Sequence, residues 1–97
     1  MDPREILSAA LETYGAEAQT LMVMEEMSEL TKELCKHARG ADNTDAIAEE
    51  IADVHIMLRQ MEILYDCADR IWWWYREKLA RLEDRIKGET EGSHAPD

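Results

Sequence analysis

The amino-acid sequence predicts an all-α protein, a bundle of about four helices that is completed by oligomerisation. The chain of 97 residues contains no Phe, only two Pro and only four Gly, and most of its residues are good helix formers. Apolar residues recur three and four positions apart, which is the periodicity of an amphipathic helix. A single domain of this size buries only about 60–65% of the surface of its unfolded chain. We therefore expect copies of the chain to associate.

The first predicted helix begins at Asp2, which can cap the helix through its side chain. Pro3 suits the first helical turn, and Glu5 can close a capping box with the residue at the cap. The helix is expected to end near Tyr14-Gly15, because glycine favours the end of a helix.

The second predicted helix runs from about Glu17 to Ala38. It is followed by residues 39–43, Arg-Gly-Ala-Asp-Asn, which are typical of a turn. The third helix then begins with Asn43 or Thr44 as its cap.

The third and fourth predicted helices share the segment from Thr44 to Lys87, which contains neither Gly nor Pro. As one helix it would be roughly 66 Å long at 1.5 Å per residue, too long for a small domain to bury. We place a break at Tyr65-Asp66-Cys67, with Asp66 as the cap of a fourth helix that reaches about Lys87. Residues 88–97 are predicted to be a disordered acidic tail, so residues 1–87 form the single domain.

The composition argues against several classes of function. The net charge of −11 disfavours binding to a nucleic-acid polymer, since neutralising its phosphates needs an excess of Lys and Arg. No run approaches the ~20 apolar residues that span a bilayer, and no apolar signal segment opens the sequence. Cys35 and Cys67 lack the spacing of a metal or redox motif. We therefore expect a cytoplasmic protein with two reduced cysteines and no membrane partner.

Two pairs of carboxylates at helical spacing are the strongest functional signal in the sequence. Glu26 and Glu29, preceded by Glu25, lie on the second predicted helix, and Glu50 and Asp53 lie on the third. Residues three apart share one face of a helix, about 5–6 Å apart at Cβ. Acids that are crowded together repel one another unless a divalent cation takes them as ligands. Oxygen ligands are those that Mg²⁺ and Mn²⁺ prefer.

The apolar pattern predicts the direction in which these acids point. The stripes expected to be buried are Val23, Met27, Leu30 and Leu34 on the second helix and Ile47, Ile51, Val54, Leu58 and Met61 on the third. Glu26 and Glu50 fall within these stripes, while Glu29 and Asp53 lie at their margins. The pattern therefore predicts that the two acidic pairs face the interior of the bundle.

Two other arrangements fit the acids less well. A solvated charged face usually places Lys or Arg four residues beyond each acid, but the residues four after Glu26 and Glu50 are apolar. A carboxylate-bridged di-iron bundle needs Glu-x-x-His motifs, and the residue three before His55 is Ala52. Metal binding through the acids alone is therefore favoured.

The two acidic motifs and their spacing resemble the signature of a known family. Residues 25–29 read Glu-Glu-Met-Ser-Glu, and residues 50–53 read Glu-Ile-Ala-Asp. This is similar to the Glu-Glu-x-x-Glu, spacer, Glu-x-x-Asp signature of the all-α nucleoside triphosphate pyrophosphohydrolases of the MazG type. The resemblance is to the short, single-domain MazG-like proteins of bacteria and phages, and it runs from about Tyr14 to Ile86.

The resemblance implies an activity and a set of site residues. Members hydrolyse nucleoside or deoxynucleoside triphosphates between the α and β phosphates, which yields a monophosphate and pyrophosphate. Their Mg²⁺, for which Mn²⁺ can substitute, is bound at the positions of Glu26, Glu29, Glu50 and Asp53. Glu25, or a ligand such as Glu26, is the expected acceptor of the proton from the attacking water. A homodimer or homotetramer in the bacterial cytoplasm is also implied.

The fourth predicted helix and the start of the second supply candidates for substrate binding. The resembled family has Lys followed by Arg in its last helix, so Lys78 and Arg81 are expected to contact phosphate, with solvated charges as the alternative. Trp74 is a candidate for stacking on the nucleobase, whereas core and subunit-interface positions are the alternative for the run Trp72-Trp73-Trp74. Gln19 is a candidate for contacting base or sugar, or else an ordinary surface glutamine.

A catalytically inactive, acidic helical interaction module is the alternative function. In such a module the carboxylates would only bias the choice of partner. The release of pyrophosphate from a triphosphate with Mg²⁺ distinguishes the enzyme from the module.

Overall fold

The computed structural model consists of α-helices and describes residues 1–93, with side chains described to Thr90. The helices are α1 (Pro3–Tyr14), α2 (Ala16–Ala38), α3 (Thr44–Leu64) and α4 (Ala68–Ser93). No strand occurs within residues 1–93, so the predicted all-α class is confirmed. The chain divides after Asp66 into a first unit with α1, α2 and α3 and a second unit with α4. None of the described helices combines the length and apolar composition needed to cross a bilayer.

Helix α1 has the predicted cap and the predicted end. The Oδ1 atom of Asp2 accepts a hydrogen bond from the backbone N–H of Glu5 at 2.8 Å, which satisfies one of the free donors of the first turn. Gly15 ends the helix with a φ of 89°, a conformation that residues with a Cβ rarely adopt. Its N–H donates to the carbonyl of Leu11 at 2.9 Å.

Asn43 occupies the N-cap position of α3, as one of the two predicted candidates, but its side chain does not cap the helix. The Nδ2 atom of Asn43 instead donates to the backbone carbonyl of Glu33 at 2.9 Å. The side-chain amide therefore joins the start of α3 to the last turns of α2, across the intervening loop.

The break before α4 lies at the predicted residues, but the prediction that Asp66 caps α4 is wrong. Asp66 adopts a φ of 48°, a left-handed conformation that Asp tolerates better than most residues, and it turns the chain between the helices. Cys67 stands next to the first helical residue, and its carbonyl accepts a hydrogen bond from the N–H of Ile71 at 2.9 Å.

Helix α4 continues to Ser93, beyond the predicted end at Lys87. Gly88 lies inside the helix, because one glycine costs a helix only about 1 kcal/mol relative to alanine and does not by itself end it. Residues 88–93 are therefore helical, although they were predicted to be part of a disordered tail. The rest of that predicted tail, residues 94–97, lies outside the described residues.

Helices α2 and α3 form an antiparallel pair, and α1 contacts both of them. Two hydrogen bonds mark the ends of the pair. The Nε2 atom of Gln19 donates to the Oε1 atom of Gln60 at 2.7 Å near one end, and Asn43 bonds to Glu33 near the other. Because one bond joins residues 19 and 60 and the other joins residues 33 and 43, the two helices run in opposite directions.

The line along which α2 and α3 meet contains few fully buried apolar side chains. The buried apolar residues of the described chain are Val23, Val54 and Met57, and beside them lie Gln19 and Gln60, which are 7% and 4% exposed. The Nε2 atom of Gln60 also lies 3.8 Å from the sulfur of Met57. Gln19 is therefore not an ordinary surface glutamine, because its amide is buried and paired.

The apolar stripes predicted for α2 and α3 are only partly buried. Leu30, Ile47 and Met61 are half-buried, whereas Met27, Leu34, Ile51 and Leu58 are 40–49% exposed. Glu26, Glu33, Glu50 and Asp53 are also half-buried. The contact line is thus rotated away from the centre of the predicted stripes and toward the acids.

The buried glutamine pair makes a prediction about stability. Replacing Gln60 by Leu leaves the buried amide of Gln19 without its partner, so we expect the free energy of unfolding to fall by about 1–3 kcal/mol. Replacing both Gln19 and Gln60 by Leu leaves no unpaired polar group and is expected to cost less than the single change. Urea unfolding followed by circular dichroism measures both. A double variant that loses more stability than Gln60→Leu would contradict the pairing.

Candidate metal centre

Three carboxylates from the two facing helices meet in the middle of the α2–α3 pair. Glu26 lies on α2, and Glu50 and Asp53 lie one turn apart on α3. One oxygen from each side chain lies within 4.8 Å of the oxygens from the other two. All three side chains are half-buried. The structure therefore brings together three of the four acids that the sequence predicted to converge.

Helical spacing explains why these side chains lie along the contact line. Glu26 is three residues after the buried Val23 and therefore shares its face of α2. Glu50 is four residues before the buried Val54, and Asp53 precedes it directly. The antiparallel register set by Gln19 and Gln60 then places Glu26 opposite the turn that carries the other two acids.

The environment of the cluster disfavours the ionised form of two of its acids. The pKa of Glu26 and the pKa of Glu50 are both raised above the ordinary value of 4.5. The largest cause for both is the loss of hydration between the helices, and the next is repulsion by the carboxylate of Asp53. A cation bound among these oxygens would oppose both effects, since it favours the charged form of each acid.

One oxygen of the cluster has no hydrogen-bond donor among the described residues. The Oε2 atom of Glu50 is buried and unpartnered, which is unfavourable for a carboxylate oxygen. A divalent cation would supply the missing partner. The ligand atoms available to a cation here are all carboxylate oxygens, the type of ligand that Mg²⁺ and Mn²⁺ bind best. The residues present therefore fit the metal that the sequence resemblance implies.

Glu33 extends the cluster toward the loop, and the sequence analysis did not identify it. Its Oε2 atom is buried without a hydrogen bond, although the ammonium of Lys36 lies 3.3 Å away and offsets its charge. Glu33 is among the acids that raise the pKa of Glu50. The signal that could have identified it is its position seven residues after Glu26, which places both on the same line of α2.

Glu29 and Glu25 are exposed and lie outside the group of three carboxylates. Both are close enough to contribute to the raised pKa of Glu26, and Glu29 also raises the pKa of Glu50. They therefore border the cluster. The predicted roles of Glu29 as a metal ligand and of Glu25 as a proton acceptor stay predictions.

The remaining candidates for substrate binding lie on α4, in the second unit. The Nζ atom of Lys78 lies 5.8 Å from the centroid of the Trp74 ring, which is within range of a cation–π interaction. Trp73 packs edge to face against Trp74, with centroids 4.8 Å apart. Arg81 is exposed on the same helix. The approach of Lys78, Arg81 and Trp74 to the carboxylates of the first unit stays a prediction.

The fold and the cluster define the class of protein: it is all-α, with three converging carboxylates on an antiparallel helix pair. Comparison with protein-family models, with curated proteins and with solved structures finds no match for this chain. The resemblance to the MazG type therefore depends on the acidic motifs themselves.

The raised pKa of Glu50 predicts that Glu50→Gln stabilises the metal-free protein at neutral pH. A carboxyl group whose folded pKa exceeds its unfolded pKa lowers stability when ionised, and this loss disappears once the pH falls below both values. The rise in Tm caused by the substitution should therefore be largest near neutral pH and should shrink as the pH approaches 4.5, the ordinary value. Thermal unfolding in the presence of EDTA measures it.

Glu12→Gln is the control, since Glu12 is exposed on α1. The substitution of Glu12 should change the Tm little both at neutral pH and near pH 4.5. A Glu50→Gln variant that is less stable than the wild type at neutral pH would show that the acid supports the fold rather than strains it.

Proposed function

We propose that this chain is a Mg²⁺-dependent pyrophosphohydrolase that cleaves nucleoside or deoxynucleoside triphosphates between the α and β phosphates. The observation that carries the proposal is the meeting of the Glu26, Glu50 and Asp53 carboxylates within 4.8 Å of one another. The reaction comes from the similarity of the two acidic motifs to the MazG signature. The cluster supports it because a triphosphate is held by acidic residues only through a metal ion.

In the proposed enzyme, Glu26, Glu50 and Asp53 hold the cation, with Glu29 as a fourth ligand. The bound Mg²⁺ would neutralise phosphate charge and lower the pKa of a water molecule. The unpartnered Oε2 atom of Glu50 supports this assignment, as do the raised pKa values of Glu26 and Glu50. The unpartnered oxygen and the raised pKa values are unfavourable features of the metal-free cluster, and binding of a cation would remove them.

Glu25 is the proposed acceptor of the water proton, with Glu26 as the alternative. Glu25 is exposed beside the cluster, so its carboxylate is open to solvent and to substrate. The attacking water forms a new bond to the α-phosphorus and gives up a proton to the carboxylate. The bond from the α-phosphorus to the bridging oxygen breaks, and the products are the monophosphate and pyrophosphate.

Lys78 and Arg81 are proposed to contact the outer phosphates, and Trp74 to stack on the base. The cation–π contact between Lys78 and Trp74 keeps a positive charge beside an indole that is 46% exposed. A nucleotide presents a base and a phosphate chain to such a pair of groups. Gln19 is left out of the proposal, because its amide is buried against Gln60.

The proposal includes a homodimer or homotetramer in the cytoplasm. Support for association comes from the first unit, where few apolar side chains are fully buried while many large ones are exposed. Exposed apolar surface of this extent is typical of a protein that binds another chain.

The activity itself is the first test. Incubation with a panel of canonical and modified triphosphates and Mg²⁺ should release monophosphate and pyrophosphate in equal amounts, without diphosphate or inorganic phosphate. Asp53→Asn should lower kcat/KM by at least about 100-fold, because losing even a residue that supports a metal ligand typically costs 10–100-fold. The control Glu49→Gln changes an exposed neighbour and should retain activity within a few-fold.

The outcome that favours the interaction module is equally definite. No pyrophosphate from any nucleotide, together with no rise in Tm on addition of Mn²⁺, would contradict the enzyme and support an inactive acidic module. A rise in Tm with Mn²⁺ that Asp53→Asn abolishes would support the metal centre even before the right substrate is found, since a ligand that binds only the folded state stabilises it.

The role of α4 has a separate test. If Lys78 contacts a phosphate, Lys78→Gln removes a charge-assisted hydrogen bond of about 1.5–3 kcal/mol, which corresponds to a loss of roughly 10- to 150-fold in kcat/KM. Lys87→Gln is the control, because Lys87 lies on the same helix and its ammonium is 3.7 Å from Glu83. Equal effects of the two substitutions on steady-state kinetics would contradict a specific contact by Lys78.

A further inference from the structure

A groove between α1 and α3, on the surface of the first unit, belongs to none of the sites described above. Its volume is about 390 Å³, which is within the range of roughly 300–1,000 Å³ that is usual for sites that bind small molecules. Its floor is apolar and consists of Pro3, Ile6 and Leu7 on α1 and Ile56 on α3. Ile6 and Ile56 are 53% and 50% exposed, so the floor is open to a ligand. We call this feature the α1–α3 groove.

The other side chains that line the α1–α3 groove are basic. They are Arg4, His55 and Arg59, and no acidic side chain among the described residues lines the groove, although 22 of the 97 residues are Asp or Glu. The aliphatic stem of an arginine can cover apolar surface while its guanidinium stays in water. The groove thus combines an apolar floor with positive charge and hydrogen-bond donors.

The two guanidinium groups are available to an anion. Arg4 forms no ion pair with the side chains described within residues 1–90, and Asp2, whose charge attracts Arg4, uses its carboxylate to cap α1. The Nη1 atom of Arg59 lies 3.6 Å from the Oε1 atom of Glu62, but the Arg59 side chain is 66% exposed, so solvent screens this pair. A guanidinium has five N–H donors, and one carboxylate oxygen leaves most of them free.

We propose that the α1–α3 groove binds a small aromatic carboxylate, with the rings on the apolar floor and the carboxylate at Arg4 and Arg59. An arginine can bind a carboxylate through two parallel N–H donors, and it also stacks on aromatic faces. A chain with a net charge of −11 repels anions from most of its surface. A groove lined by basic side chains is where an anion with an apolar body meets the least repulsion. The proposal goes beyond the proposed function, since it involves neither a metal ion nor a triphosphate.

The α1–α3 groove is separate from the carboxylate cluster. Arg59 comes nine residues after Glu50, which corresponds to about 13 Å along α3 and to half a turn around it. Arg59 and Glu50 therefore point to opposite sides of α3, and a ligand in the groove would leave the cluster open. Such a ligand would contact α1 and α3 together and stabilise the folded first unit.

Protein NMR spectroscopy with three probes of similar shape tests the site in the presence of EDTA. The probes 2-naphthoate, 2-naphthylmethanol and 2-naphthylmethylammonium share their rings but carry a negative, no and a positive charge. Naphthoate should shift the amide signals of Leu7 and Ile56 and bind about 5-fold more tightly than the alcohol, which is the gain expected from an exposed ion pair. The ammonium should bind most weakly. Equal affinities, shifts that centre on the tryptophans of α4, or tighter binding of the aliphatic decanoate would each overturn the proposal.

Matched substitutions locate the charge that the carboxylate meets. Arg4→Gln combined with Arg59→Gln should bring the affinity for naphthoate to within about 2-fold of that for naphthylmethanol, because the ion pairs are lost. Arg39→Gln combined with Arg76→Gln is the control, since it removes the same charge from exposed positions outside the groove, and it should keep the preference. Ile6→Glu, which places an acid in the floor, should abolish binding of naphthoate while the helix content stays that of the wild type. Equal loss of the preference in both double variants, or binding that survives Ile6→Glu, would contradict the proposal.

Discussion

The antiparallel register of α2 and α3 is the constraint on which the candidate site depends. It is marked by a buried amide pair, Gln19 with Gln60, at one end and by the Asn43 amide on the Glu33 carbonyl at the other. A slip of one helical turn would move Glu26 by about 5.4 Å relative to the acids on α3 and would leave both glutamines unpaired. Buried polar pairs are known to select one register among several that are similarly apolar, and here the selected register is the one that gathers the carboxylates.

The same arrangement weakens the pairing of the helices that it organises. Acids occupy positions on the contact line where apolar side chains would otherwise pack, and the raised pKa of Glu26 and of Glu50 records the resulting loss of hydration and the repulsion. A cation that binds carboxylates from both helices would remove the repulsion and join α2 to α3. Metal binding and folding are therefore coupled in the proposed enzyme, as expected when the ligands come from separate elements.

Much of the fold could be predicted because its signals are local. Asp2 and Gly15 mark the ends of α1 through a cap and a positive φ, which are properties of single residues. The convergence of Glu26 with Glu50 and Asp53 could be predicted because the acids lie at helical spacing on two helices that a short loop joins, which leaves few ways to arrange them. The conformations of Asp66 and Gly88 could not be predicted, since Asp and Gly are each compatible with several conformations and the choice depends on the surroundings of the residue.

The rotation of the contact line was beyond prediction for a different reason. Helical periodicity shows that a broad stripe of α2 is apolar, but not which part of a broad stripe meets which neighbour. Within the first unit, α3 meets the edge of the stripe that carries Gln19 and Glu26, and it leaves Met27 and Leu34 exposed. The partial burial of the acids and the exposure of Met27 and Leu34 are thus two results of one rotation.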